Sequence, residues 1–190
     1  MFSIRIPSRT GRVLAVAAAC GALLGPGCGQ NRVVLNVDVL SFMNSTDTVQ
    51  PYDAPSALPF SVRLPAVPVN LVEGYQDFGT AQEATLDIGL QYDNLTGQGQ
   101  GRLVLYFSDD VDSLYSTPQV ATIDVDLAPA TLSNGSIRLQ LDQRMLDLFT
   151  SKHFWMGVDL VWAPVSVEPL TGTCRMSQID VHLVSQLALF

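Results

Sequence analysis

Residues 85–92 read Thr-Leu-Asp-Ile-Gly-Leu-Gln-Tyr, and this stretch gives the clearest indication of the fold. Its apolar members occupy every second position: Leu86, Ile88, Leu90 and Tyr92. Successive side chains of a β-strand point to opposite faces of the sheet. The alternation therefore predicts a strand with one buried face and one solvated face.

The same alternation recurs along the rest of the chain. It predicts further half-buried strands at residues 33–40, 60–64, 119–127, 137–141 and 178–189. Two nearly continuous apolar runs, 102–108 and 154–162, predict central strands that are buried on both faces. We interpret residues 44–59, rich in Pro, Ser, Thr and Asp, as a long loop, and the glycine-rich residues 94–101 as a hairpin turn.

One short helix is predicted between the strands that end near residue 141 and begin near residue 154. Asp142 suits its N-cap, and Met145, Leu148 and Phe149 share one face. Eight or nine strands with one short helix predict an all-β protein, a β-sandwich of immunoglobulin-like or jelly-roll type. In that architecture the helix crosses from one sheet to the other and closes one end of the core.

The N-terminus has the organisation of a secretion signal. Residues 1–12 contain three arginines and no carboxylate, residues 13–24 are apolar, and Gly25-Pro26-Gly27 supplies small residues before Cys28. A basic segment, a short apolar run and a small-residue site are the three parts of a secretory signal peptide. We therefore predict that residues 1–27 are a signal that is removed on export.

The stretch Leu-Leu-Gly-Pro-Gly-Cys at residues 23–28 resembles the lipobox of bacterial lipoproteins. The resemblance implies cleavage before Cys28 and a diacylglyceryl group on its sulfur. Residues 28–32 would then be the anchor and a short linker, and residues 33–190 the sandwich domain. Cys20, after three alanines, is a second candidate for the lipid, and cleavage near Gly27 without lipidation is a third reading.

The expected state of the remaining cysteine, Cys174, depends on which cysteine carries the lipid. With a lipid on Cys28 it has no partner, and we expect a buried apolar residue. With a lipid on Cys20, a Cys28–Cys174 disulfide becomes feasible in an oxidising compartment.

Charge constrains the partners of the exported chain. The full chain of 190 residues has a net charge of −8. Residues 28–190 keep 7 of the 10 basic residues and all 18 acidic ones, a net charge of −11. Such a surface repels nucleic acid, so we predict no nucleic-acid partner.

No motif for catalysis is present. The chain contains no Gly-x-Ser-x-Gly elbow, and no base adjoins Cys174. The glycines of residues 97–101 precede no predicted helix that could present free amides to a phosphate. We therefore predict no enzymatic activity and no obligatory cofactor.

Two weaker patterns suggest ligands. Asp109, Asp110 and Asp112 follow a predicted strand, where oxygen ligands could bind calcium, although their spacing matches no calcium motif and a solvated turn is the simpler explanation. Trp155 and Trp162 fall on opposite faces of one strand. We expect both to belong to the core, and the alternative is a sugar-stacking platform with Tyr106 or Tyr115.

His153 and His182 lack the spacing of a zinc site, and we expect them on the surface. Together the patterns favour a lipid-anchored protein of the bacterial cell envelope, facing the periplasm or the exterior, with a non-catalytic structural or partner-binding role. Its partners would be the membrane, through the lipid, and an envelope protein or glycan. The alternative is a carbohydrate- or calcium-binding module.

Overall fold

A computed structural model of the protein describes residues 31–56, 58–70, 80–149, 151 and 153–187. The predicted signal with Cys20 and Cys28 lies outside the described residues. So do residues 188 and 189, with which the last predicted strand ends.

Within the described part of the chain, nine β-strands form two antiparallel sheets. The strands are β1 (Asn31–Asp38), β2 (Val49–Ala54), β3 (Phe60–Asn70), β4 (Thr80–Thr96), β5 (Gly99–Ser108), β6 (Ala121–Leu127), β7 (Thr131–Gln140), β8 (Trp155–Pro164) and β9 (Leu170–Leu187). Sheet A has the order β1-β9-β4-β7, with β2 paired to β9 beyond β1, and sheet B has the order β3-β8-β5-β6. The predicted β-sandwich is confirmed.

The strand order selects the jelly roll. Of the consecutive strands, only β5 and β6 pair with each other inside a sheet. The connections β2–β3, β3–β4, β4–β5, β6–β7, β7–β8 and β8–β9 each cross from one sheet to the other. An immunoglobulin-like sandwich instead pairs several consecutive strands within its sheets, so that alternative is wrong.

The core lies between the two sheets. The apolar face of residues 85–92 points into it as predicted, and Ile88 is only 1% exposed. The facing side chains of sheet B are equally buried: Leu103, Leu105, Phe107, Met156, Val158, Leu160 and Trp162. Tyr92 reaches across the core to Gly101, where a Cβ would lie 2.7 Å from the tyrosine Cζ. Glycine at position 101 is therefore required for the two sheets to approach at this point.

The prediction of one loop over residues 44–59 is wrong. A 3₁₀ turn (Val39–Phe42) and helix α1 (Ser45–Thr48) come first, and β2 then pairs with β9. Tyr52 and Ala54 of β2 are buried. Pro51 is tolerated because β2 pairs on one side only, where a missing N–H need not face a partner.

The predicted hairpin turn at residues 94–101 is wrong, because β4 belongs to sheet A and β5 to sheet B, so the two strands do not pair and the connection between them crosses from one sheet to the other. The connection is also much shorter than predicted. Strand β4 continues to Thr96 and β5 begins at Gly99, so only Gly97 and Gln98 connect them. Gly97 has a φ of 71°, a conformation that glycine adopts without strain.

The two apolar runs form the central strands β5 and β8 of sheet B, as predicted, but neither is uniformly buried on both faces. Alternate residues of β8 from Met156 to Trp162 face the core, while Trp155 and Asp159 lie part-buried on the outer face. Residues 109–120 cross that outer face, and the Tyr115 ring covers Gly157. The added cover explains why both strands look apolar throughout.

Helix α2 (Gln143–Leu148) connects β7 of sheet A to β8 of sheet B, as predicted. The Asp142 carboxylate caps it by accepting a hydrogen bond of 2.9 Å from the Met145 amide. Met145, Leu146 and Phe149 are buried at this end of the core. Leu148 is partly buried and packs against the same core, so the predicted shared face is confirmed.

Candidate functional site

Four of the connections between the sheets meet at one end of the sandwich. They are residues 55–59, 97–98, 128–130 and 165–169, which join β2 to β3, β4 to β5, β6 to β7 and β8 to β9. The pairs Ala54–Leu170, Gly99–Leu127 and Gly99–Pro164 place the adjoining strand ends side by side. We call this end, formed by the four loops and the strand residues next to them, the apolar end.

Exposed apolar side chains are concentrated there. Among the described residues, eight large apolar side chains are exposed, and six of them lie at this end: Leu58, Phe60, Leu95, Leu132, Val165 and Val167. Val167 is 93% exposed and Val165 is 72% exposed. Leu95 and Leu132 lie on the same outer face of neighbouring strands, because Leu132 pairs with Asp93. Such a concentration of exposed apolar side chains at one end of a domain is typical of an interaction site.

A buried asparagine fixes two of the loops. The Asn94 side chain is fully buried and donates from Nδ2 to the Gly97 carbonyl at 3.0 Å and to the Ala128 carbonyl at 2.8 Å. Its Oδ1 accepts a 3.0 Å hydrogen bond from the Tyr52 hydroxyl. One amide thus connects the β4–β5 turn, the β6–β7 loop and strand β2.

The loop 165–169 is fixed to the same turn. The Val165 amide donates to the Gln98 carbonyl at 2.8 Å, and the Gln98 amide donates to the Ser166 hydroxyl at 3.0 Å. The Thr96 hydroxyl donates to the Pro169 carbonyl at 3.0 Å. Because these loops are hydrogen-bonded to one another, the apolar side chains are presented in a fixed arrangement before any partner arrives.

Carboxylates flank the apolar side chains. Asp53, Asp93, Asp126 and Glu168 are exposed at this end, and none of them forms an ion pair within the described residues. Asp124 nearby is neutralised by Arg102, with an N–O distance of 2.6 Å. The apolar end therefore combines an apolar centre with a negatively charged border.

The described chain begins at the opposite end. Asn31 pairs with Leu187, whereas the apolar end lies at the other terminus of β9, at Leu170. We call the end at Asn31 the amino end. Among the described residues, no helix is both long and apolar enough to cross a membrane.

The three aspartates singled out for calcium lie in the β5–β6 connection, near the amino end. Asp109, Asp110 and Asp112 are all exposed, and an Asp110 carboxylate oxygen accepts from the Asp112 amide at 3.2 Å, as in an Asx turn. Nowhere in the described chain do three or more metal-binding side chains come close enough to hold an ion. The calcium site stays a prediction.

Trp162 is fully buried, as expected, and stacks between Tyr52 and Phe60. The expectation of a core position is wrong for Trp155, which lies partly exposed on the outer face of sheet B. The His153 ring stacks near it, with a centroid distance of 6.4 Å. Trp155 faces outward because an odd number of residues separates it from Trp162 along the strand, so the two side chains point to opposite faces.

Further along this outer face, Tyr115 connects several groups. Its ring meets Tyr106 edge-on at 5.5 Å, and the Arg63 guanidinium lies over it at 4.6 Å. Arg63 also approaches Asp159 at 3.8 Å. Burial raises the pKa of the Asp159 carboxyl, and the positive charge of Arg63 opposes that rise.

Cys174 is buried, as expected if the lipid is on Cys28, and forms no disulfide with a described residue. Cys28, its partner in the alternative disulfide, lies outside the described residues. Burial raises the pKa of the Cys174 thiol to about 12, so the thiolate is scarce at neutral pH and the residue is chemically inert. Both His153 and His182 are exposed, as predicted.

The residues of the apolar end were not recognisable as a group from the sequence, because they come from four loops that are far apart in the chain. One local signal was available. Val165 and Val167 lie between Pro164 and Pro169, in a segment that no strand or helix pattern requires to be apolar.

No protein-family model and no curated protein matches the chain. Solved structures resemble it in fold only. A chain of the infectious bursal disease virus Gx strain superposes with a TM-score of 0.46 at 7% identity, over 87% of this chain and 36% of that one. Eiger TNF from S. frugiperda gives a TM-score of 0.40 at 12% identity, over 83% and 93%. This protein thus spans about a third of the viral chain, and neither likeness indicates a function.

Proposed function

We propose that this protein is a lipid-anchored component of the bacterial cell envelope that binds a protein partner through its apolar end. The observation that carries the proposal is the concentration of exposed apolar side chains on loops and adjoining strand ends at one end of the sandwich, where three of the four loops are fixed by hydrogen bonds. A soluble domain gains nothing in its own stability from such a surface, and it favours association instead.

The position of the amino end supports the same proposal. Cys28 precedes Asn31 by three residues, a distance of at most about 10 Å of extended chain. A lipid on Cys28 would therefore hold the amino end near the membrane. The apolar end, at the other terminus of β9, would then point away from the membrane and towards a partner.

The test is membrane fractionation with mass spectrometry of the mature N-terminus. Cys28→Ser should move most of the protein from the membrane fraction to the soluble fraction, because the lipid carries the attachment. Cys20→Ser serves as the matched control and should leave the protein membrane-bound. An unmodified N-terminus on the wild-type protein would refute the anchor, and a lipid on Cys20 would move it.

A second candidate function is carbohydrate binding on the outer face of sheet B. The observation that favours it is the partly exposed Trp155 with its neighbouring His153 ring, since aromatic faces stack on sugar rings. It ranks below partner binding because Leu114 and Tyr115 already cover the neighbouring part of that face, at Gly157.

A further inference from the structure

The charges around the apolar end restrict what can dock there. Its four carboxylates, Asp53, Asp93, Asp126 and Glu168, flank the exposed side chains of the loops. Cations on the adjoining strands do not pair with them: Arg102 is paired with Asp124, and Arg63 approaches Asp159. Arg175, two residues from the partner of Asp93 on β9, forms no ion pair among the described residues. Any partner that docks there must be complementary to the carboxylates of this border as well as to the apolar centre.

A second copy of the chain fits poorly. An isologous dimer through this end would bring the same four carboxylates of each copy towards each other. The net charge of −11 on residues 28–190 adds repulsion over a longer range.

A lipid bilayer fits poorly as well. Proteins that rest on membranes pair an apolar face with Lys and Arg, which bind anionic headgroups. The four loops contain no Lys or Arg, and their only charged residue is Glu168. Carboxylates in these positions are repelled by an anionic surface.

We propose that the apolar end binds a protein surface that has an apolar centre and a border of Lys and Arg side chains. This inference rests on the proposed function and specifies the partner's chemistry. The apolar contacts of Leu95, Val165 and Val167 would supply affinity, and the carboxylates would orient the partner and speed its association.

The test begins with a photoreactive amino acid at position 167 of the full-length protein, in the cells that produce it. Position 111 is the matched control, since Val111 is also exposed but belongs to the β5–β6 connection. Protein cross-links should form at 167 at least several-fold more than at 111. The partner peptide attached at 167, sequenced by mass spectrometry, should be apolar and flanked by Lys or Arg.

Association rates of the two purified full-length proteins then test the charge border. The triple variant Asp53→Asn, Asp93→Asn, Glu168→Gln should associate about tenfold or more slowly at low salt, as expected when steering is removed. The difference should disappear near 0.5 M salt, because screening removes the same interaction. The control variant Asp38→Asn, Glu83→Gln, Asp180→Asn removes three charges elsewhere and should change the rate less than twofold.

Each contrary outcome has a distinct meaning. A partner peptide with acidic or uncharged flanks would overturn the inference and leave the proposed function standing. An association rate that changes neither in the triple variant nor with salt would do the same. Cross-links at 167 to a second copy as the main product would likewise overturn the inference alone, because the occupant would still be a protein. Cross-links at 167 mainly to lipid would refute the partner-binding function as well. Equal cross-linking at 167 and 111 would refute the partner-binding function itself.

Discussion

Single residues at the borders of the core show how far the burial of a charged side chain is tolerated. Asp159 is the clearest example, with a side chain only 17% exposed and an Oδ1 atom that has no hydrogen-bond partner in the described structure. A buried carboxylate is costly unless it is fully paired. Arg63 approaches the other oxygen, Oδ2, at 3.8 Å, which is too long for a strong hydrogen bond.

The first prediction at this scale concerns Asp159→Asn. Burial raises the pKa of the folded carboxyl above its ordinary value of 3.8. The folded state therefore binds this proton more readily than the unfolded state, and the group's contribution to stability falls as pH rises from 3.8 through the folded pKa. Asp159→Asn should be more stable than the wild type at pH 7, and the advantage should vanish below pH 3.8.

Denaturant midpoints of both proteins at each pH measure this difference. Asp109→Asn is the control, because that exposed position should stay within about 0.5 kcal/mol of the wild type. A destabilised Asp159→Asn at pH 7 would show that the ion pair with Arg63 outweighs the cost of burial.

At the scale of elements, the sequence pattern predicts the features that depend on one strand alone, namely its position in the chain and the face that it buries. Strand 85–92 has a regular alternation because one face meets the core and the other meets water. Strand β2 escaped prediction because it pairs on one side only and contains Pro51, so its alternation is short. Trp155 was misplaced because it lies an odd number of residues from the buried Trp162 on one strand and therefore faces outward from sheet B.

The crossovers between the sheets cannot be predicted from such alternation patterns. Alternation gives the inner face of each strand, yet it does not say which strands are neighbours. The choice between jelly roll and immunoglobulin-like order depends on pairings such as Asn31–Leu187, across nearly the whole domain. The apolar end follows from that order, and so it could not be predicted either.

A second prediction belongs to the loops that Asn94 connects. Asn94→Ala removes three hydrogen bonds and leaves the buried Tyr52 hydroxyl without its acceptor. Each unsatisfied buried group costs about 1–3 kcal/mol, so the free energy of unfolding should fall by about 2 kcal/mol or more. Amide exchange at Gln98, Ala130 and Val165 should accelerate, because the loops lose their common attachment.

Asn134→Ala is the matched control for that experiment, since Asn134 is exposed and should cost less than about 0.5 kcal/mol. Unchanged exchange in Asn94→Ala would mean that the backbone contacts of residues 165–169 hold the end together without the asparagine.

At the scale of the whole molecule, the proposed function gives the two ends of the sandwich different roles. Strand β9 has 18 residues, and a strand rises by about 3.3 Å per residue, so the ends are roughly 50 Å apart after allowance for bulges. A lipid on Cys28 would place the amino end at the membrane surface. It would hold the apolar end far enough away to meet a partner in the surrounding compartment.

The last prediction measures this orientation by energy transfer to acceptor dyes on the surface of a vesicle. Single cysteines are introduced at Gln82→Cys, near the amino end, and at Val167→Cys, at the apolar end, and each is labelled with a donor dye. The native thiol of Cys174 does not interfere, because it is buried and its pKa is about 12. In the lipidated protein, transfer from position 82 should be strong and transfer from position 167 weak, since the two differ by roughly 50 Å in height. Removing the lipid with Cys28→Ser should abolish transfer from both positions. Equal transfer from both would mean that the domain lies along the membrane, and stronger transfer from position 167 would mean that the apolar end itself contacts lipid.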